Sequence, residues 1–137
     1  MIREIIKDEI FLRRPSAVAV RKDKKTAEDL RDTLMAHSLD CIGLAANMIG
    51  EAKCVIAIRV GKTCLVMLNP VIVRHAKEQY EAEEGCLSLA GRRRTLRYAW
   101  VEIEYRDMKW KKQIVRLAGH EAQAAQHEID HTKGILI

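Results

Sequence analysis

Residues 126–131 read Gln126-His127-Glu128-Ile129-Asp130-His131, and this stretch decides the interpretation of the chain. The residues around it, about 117–131, are rich in alanine and predict a helix that stops at Gly134. Four residues advance a helix by about 6 Å and bring the two imidazoles onto one face. Two such nitrogens can hold one metal ion, and Glu128 can then reach a water molecule on that ion.

A catalytic metal site needs a third protein ligand and an open position. His120 lies seven residues before His127, about 10 Å along the helix, which is too far to share a metal. We therefore expect His120 to line a pocket or lie on the surface. The third ligand more plausibly comes from the stretch Glu84-Gly85-Cys86-Leu87-Ser88. The alternative is that Cys86 is a small buried hydrophobic residue.

The order of predicted elements is helix, several strands, helix, with no repeat and no linker. It predicts one domain over residues 1–137, of the α+β class, with antiparallel sheets packed around the C-terminal metal-binding helix. A tight loop is expected over residues 41–50, and a turn at Asn69-Pro70. The first helix is predicted at about residues 27–38, and the strands at 54–58, 64–68, 71–73, 98–105 and 109–117.

Composition narrows the class of protein further. The 137 residues are 48% hydrophobic and 31% charged, which is ordinary for a globular domain and excludes a disordered chain. There is no apolar run of about 20 residues, no export signal and no C-x-x-C pair among the four cysteines, so we expect a cytoplasmic protein without a membrane partner. The net charge of +5 favours weak attraction to polyanions such as the ribosome. With 4% aromatic residues, specific nucleic-acid recognition is not expected.

Three motifs together resemble the peptide deformylase family. They are Glu84-Gly85-Cys86-Leu87-Ser88, the stretch 126–131, and Cys41-Ile42-Gly43-Leu44-Ala45-Ala46-Asn47-Met48, which corresponds to the family's G-φ-G-φ-A-A-x-Q. Their order and separations match the family over about residues 5–137. The resemblance implies a peptide-deformylase-like fold and hydrolysis of the formyl group from the N-terminal formyl-methionine of newly made polypeptides, which would be the protein's partners.

The resemblance also implies a site. Its metal ligands would be Cys86, His127 and His131 with one water molecule, and its general base would be Glu128. Fe²⁺ would be the natural metal, with Zn²⁺, Ni²⁺ or Co²⁺ able to substitute. The backbone N–H of Leu87 would donate to the oxyanion, and Asp130 would pair with Arg97. The expected substrate contacts and pocket walls, which would accept an unbranched apolar side chain such as methionine, are Gly43, Leu44, Met48, Glu84, Gly85, Leu87, Arg93, Gln123 and Ala124.

The first motif departs from the family pattern at Cys41 and Met48. Methionine cannot donate the hydrogen bond that the family's glutamine gives to the oxyanion, and loss of one such donor costs about 2.7–4 kcal/mol. The adjacent Asn47 could replace that donor only after a local backbone shift. We therefore expect a formed metal site with reduced activity. The alternatives are an N-acyl amide hydrolase of altered specificity and a metal-binding paralogue with weak or no deformylase activity.

Overall fold

A computed structural model describes residues 1–137. The helices are α1 (Glu9–Leu12), α2 (Lys24–Ala36) and α3 (Gly119–Thr132), and two short 3₁₀ helices cover Arg21–Asp23 and Ala46–Ile49. The strands are β1 (Gly43–Ala45), β2 (Val55–Val60), β3 (Thr63–His75), β4 (Gln79–Cys86), β5 (Leu89–Tyr98), β6 (Trp100–Arg106) and β7 (Lys112–Ala118).

The strands form two antiparallel sheets. Five of them pair in the order β1-β2-β3-β6-β7, while β4 and β5 form a separate two-stranded sheet. Strand β6 alternates as its sequence predicts, with Val101 and Ile103 buried and the glutamates between them more exposed. The predicted fold class, α+β with antiparallel sheets around a C-terminal helix, is therefore confirmed.

Helix α3 packs against β1 and β2, and α2 also packs against β2. The first four residues of β2 are all buried, so this strand lies at the centre of the core. Ala122, Ala125 and Ile129 form the apolar face of α3 that enters the core. Because α3 lies directly beside β1, its histidines and the first motif are brought to the same place. No helix of the chain has the length and apolar character that a membrane crossing requires.

Three features differ from the elements predicted above. Strand β3 continues through Asn69-Pro70, where the sequence indicated a turn. The register shifts between Leu68 and Val71, and the Asn69 side chain bonds both the N–H and the C=O of Ala19. The irregularity is therefore a bulge inside one strand. The loop expected over 41–50 contains β1 and a 3₁₀ helix, and the hairpin of β4 and β5 was not predicted at all.

Candidate active site

The three predicted ligand atoms converge. The Nε2 atoms of His127 and His131 are 3.0 Å apart, and the Cys86 sulfur is 3.5 Å from Nε2 of His131. All three ligand atoms lie within 4.8 Å of one another. The histidines come from consecutive turns of α3, and Cys86 comes from the end of β4.

These separations fit a single ion. Ligand bonds of about 2.1 Å to nitrogen and about 2.3 Å to sulfur, at tetrahedral angles, need N–N and N–S separations of roughly 3.4 and 3.6 Å. The observed 3.0 and 3.5 Å are close to both values. The backbone N–H of Ser88 also donates to the Cys86 sulfur at 3.4 Å, a contact that favours the thiolate form a ligand requires.

Glu84 and Arg97 form an ion-paired network that contacts the Nδ1 side of the His127 ring. The Glu84 carboxylate accepts from Nδ1 of His127 at 2.8 Å and from two nitrogens of Arg97 at 2.6 and 2.9 Å. Arg97 also donates to Asp130 at 2.6 Å, so the pair expected from the family resemblance is present. Both Glu84 oxygens are thereby engaged inside the protein. Glu84 is positioned to orient His127 through its outer nitrogen rather than to contact a substrate directly.

Glu128 is buried between α3 and β1. A Cβ built on Gly43 would lie 3.0 Å from Cγ of Glu128 and 3.2 Å from the backbone oxygen of Ala57. Only glycine at position 43 leaves room for this carboxylate. One of its oxygens, Oε1, is buried and accepts no hydrogen bond from the protein. An unpaired buried carboxylate oxygen beside a ligand cluster is available to a proton or to a bound water molecule.

The pKa shifts of Glu128 and of the two histidines suit proton transfer next to a cation. Burial raises the pKa of Glu128 to about 7, which is the range a general base needs near neutral pH. Burial, followed by the proximity of His127, lowers the pKa of His131 to about 3, so this ring is neutral as a ligand must be. Burial alone would lower the pKa of His127, but the charge of Glu128, together with hydrogen bonds to Cys86 and Glu84, raises it to about 10. The negative charges of Glu128 and Glu84 also favour a metal cation at this place.

A cavity of about 370 Å³ opens onto the cluster. His120, exposed on α3, lines it as expected and is not part of the ligand group. The lining includes most of the residues predicted from the sequence, namely Gly43, Met48, Glu84, Gly85, Cys86, Leu87, Gln123, Ala124, His127 and Glu128.

Besides Glu84, the structure corrects two of the predicted contacts. Leu44 does not line the cavity, because it is fully buried in the core, where it pairs with Ala57. Arg93 does not line it either, and its guanidinium donates to the Ala90 carbonyl at 3.4 Å. The hairpin register places Arg92 opposite Gly85, so Arg92 is the arginine at the cavity wall.

Adjacent residues of the first motif face in different directions. Met48 lines the cavity, and its sulfur accepts the Ala45 N–H at 3.5 Å. Asn47 instead directs its amide to the backbone carbonyl of His131, with a distance of 2.9 Å. Its side chain is therefore not aimed at the reacting groups, and the oxyanion donor absent at Met48 is not supplied by Asn47.

Comparisons with known proteins, by family model, by sequence and by structure, agree with this geometry. Residues 3–137 match the family model for polypeptide deformylase. A peptide deformylase of Clostridium beijerinckii is 45% identical over 137 residues and the match covers both chains completely. A Met-Ala-Ser-bound class I type b peptide deformylase from Acinetobacter baumannii superimposes with a TM-score of 0.88, at 25% identity, over 99% of this chain and 97% of that one. The actinonin complex of the enzyme from the Vibrio parahaemolyticus bacteriophage VP16T gives 0.87, at 31% identity, over 98% and 99%.

Fold and site together are those of a metal-dependent hydrolase, with one cysteine and two histidines placed where they could hold one ion. Within that class the comparisons decide the assignment. The chain belongs to the peptide deformylase family.

Proposed function

We propose that this protein hydrolyses the formyl group from the N-terminal formyl-methionine of newly made polypeptides, with Cys86, His127 and His131 as metal ligands. The observation that carries the proposal is the convergence of these three ligand atoms within 4.8 Å, directly beside the buried carboxylate of Glu128. The neighbouring cavity of about 370 Å³ has room for the first residues of a peptide.

Cys86, His127 and His131 would hold a divalent ion, which would supply Lewis-acid chemistry and make water nucleophilic near neutral pH. Glu128, with its free Oε1, accepts the proton of the attacking water and delivers it to the departing amine. The backbone N–H of Leu87, at the cavity wall, donates to the developing oxyanion. Glu84 and Arg97 keep the His127 ring in its orientation throughout.

Iron(II) is the metal we propose, with Zn²⁺, Ni²⁺ and Co²⁺ as substitutes, because one thiolate and two imidazoles suit all four. The methionine side chain would lie along α3, where Ala124 leaves space one turn before His127. The net charge of +5 supports transient association with the ribosome, whose surface carries the RNA phosphates.

The test is formate release from formyl-Met-Ala-Ser by protein loaded with Fe²⁺ or Ni²⁺. We expect metal-dependent release, and a fall of about 10²–10⁴-fold in Glu128→Gln at unchanged metal content, because general acid–base catalysis is lost. Glu121→Gln, on the same helix but outside the cavity lining, is the matched control and should retain activity. Absence of metal-dependent formate release would contradict the proposal, and acetate release from acetyl-Met-Ala-Ser would indicate altered acyl specificity.

A further inference from the structure

Asn47 connects the first motif to the helix that carries the histidines. Its side chain is buried, with 1% of the residue exposed, and its Nδ2 donates to the backbone carbonyl of His131 at 2.9 Å. The two residues are 84 positions apart in the chain. This hydrogen bond therefore ties the 3₁₀ helix Ala46–Ile49 to the last turn of α3, next to a proposed metal ligand.

Asn47 and His131 each have one further side-chain atom whose hydrogen bonding is not accounted for. Asn47 Oδ1 and His131 Nδ1 are both buried, and neither has a hydrogen-bond partner within the protein. One is an acceptor, and the other becomes a donor when the ring binds metal, since a neutral imidazole that coordinates through Nε2 carries its proton on Nδ1. Two unpaired buried groups of opposite kind are costly apart and complementary together.

His127 shows how the outer ring nitrogen of such a histidine is normally hydrogen-bonded. His127 directs Nε2 towards the ligand cluster, while its Nδ1 is held by Glu84 at 2.8 Å. Metal-binding histidines almost always donate their outer N–H to a carboxylate, carbonyl or water molecule, and this contact fixes the tautomer and the ring orientation. Around His131 the Asn47 amide is a buried neutral group already bound to that residue, with a free acceptor.

We propose that Asn47 is the positioning residue of His131. Its Nδ2 holds the backbone of this residue, and its Oδ1 accepts the Nδ1 proton of the ring, directly or through one water molecule, when Nε2 binds metal. The inference rests on the metal site of the proposed function. It assigns Asn47 a role different from that of the missing oxyanion donor beside it at Met48.

The experiment uses the full chain, labelled with ¹⁵N-histidine and loaded with Zn²⁺, which is diamagnetic. In the wild-type protein we expect a slowly exchanging Nδ1–H resonance for His131 as well as for His127. In Asn47→Leu the His131 resonance should be lost to solvent exchange, while that of His127 persists. Zinc should leave this variant about 10–100-fold faster in chelator competition, the usual size of an effect on a residue that supports a ligand.

Two further variants separate positioning from general stability. Asn47→Asp keeps an acceptor for the ring but loses the donor to the His131 carbonyl, so its Tm should fall while the Nδ1–H resonance remains. Thr33→Val is the matched control, because Thr33 on α2 is also fully buried and polar. Its hydroxyl donates to the Asp29 carbonyl and accepts the N–H of Arg3, away from the site. This substitution should lower Tm without changing zinc release.

The outcomes distinguish the inference from the function on which it rests. If Zn²⁺ leaves both ring resonances of the wild-type protein unchanged, the metal site itself is wrong. If zinc binds but Asn47→Leu releases it within twofold of the wild-type rate and keeps the His131 resonance, Asn47 is only a structural residue and the inference is overturned.

Discussion

Met48 is the residue of the cavity wall whose chemistry departs most from what the reaction requires. Its thioether accepts a hydrogen bond from the Ala45 N–H and offers no donor to the cavity. With the Leu87 N–H as the protein donor we assign to the oxyanion, part of the transition-state stabilisation is absent. A glutamine at this position could accept from Ala45 through Oε1 and still direct its NH₂ group to the substrate.

We therefore expect Met48→Gln to raise kcat/KM for formyl-Met-Ala-Ser at least tenfold, since a full oxyanion donor is worth roughly 10²–10³ in rate. Steady-state formate release with Ni²⁺-loaded protein measures the effect. Met48→Leu, equally apolar and without a donor, serves as the comparison and should show no gain. Equal rates for the Gln and Leu variants would remove the oxyanion argument.

At the scale of single residues, the sequence predicts the placement of those side chains that depend only on local spacing along the chain. His127 and His131 are one helical turn apart, so a helix alone places their rings together. The direction of Asn47 and the choice between Arg92 and Arg93 depend on contacts with distant segments. A one-residue change of register in a hairpin exchanges its two faces, and the sequence motif does not report that register.

At the scale of the elements, the end of α3 is tightly constrained. Gly134 adopts a left-handed conformation with φ of 80°, and a Cβ there would collide with the backbone oxygen of Arg13. Ser16 also donates its N–H to the Thr132 carbonyl at 2.8 Å. The segment after α1 is thus packed directly against the last turn of the helix that carries the histidines.

Gly134→Ala should lower the free energy of unfolding by at least about 2 kcal/mol, because the backbone of Arg13 cannot move as a side-chain end could. Urea unfolding followed by circular dichroism measures the loss. Gly61→Ala is the matched control: it has a similar φ of 61° but nothing within 4 Å of its Cβ. A loss no larger than that of Gly61→Ala would show that the contact with Arg13 relaxes freely.

Helices and strands whose apolar residues recur with a clear period could be predicted from the sequence. Elements without such a period could not. The hairpin of β6 and β7 and the alanine-rich α3 carry such patterns. The hairpin of β4 and β5 does not, because charged residues fill both of its faces, including the buried Glu84 and Arg97. Their burial is satisfied by ion pairing with each other and with α3, a long-range effect that hydropathy does not reveal.

Over the whole molecule, the proposed metal would join two parts that also meet through ion pairs and hydrogen bonds between the β4–β5 hairpin and α3. Cys86 belongs to the two-stranded sheet, whereas both histidines belong to the helix packed on the five-stranded sheet. A ligand that binds the folded state stabilises it by mass action. The site should therefore contribute to the stability of the entire fold as well as to catalysis.

Removal of the metal with a chelator should lower Tm, and added Zn²⁺ should restore it in proportion to the logarithm of its free concentration. Differential scanning calorimetry with and without chelator measures the shift. The His131→Ala variant, which lacks one ligand, should show little or no response to zinc. A chelator-insensitive wild-type Tm would argue against a metal bound between the two parts.

The site is assembled from residues near positions 43, 86 and 131, and the last of these lies in the final helix of the described chain. During translation the ribosome shields the most recently added stretch of polypeptide, so α3 emerges after every strand. A partly synthesised copy therefore has neither histidine available beside Cys86. The ligand group can therefore form only after all seven strands have been synthesised and α3 has packed against β1 and β2.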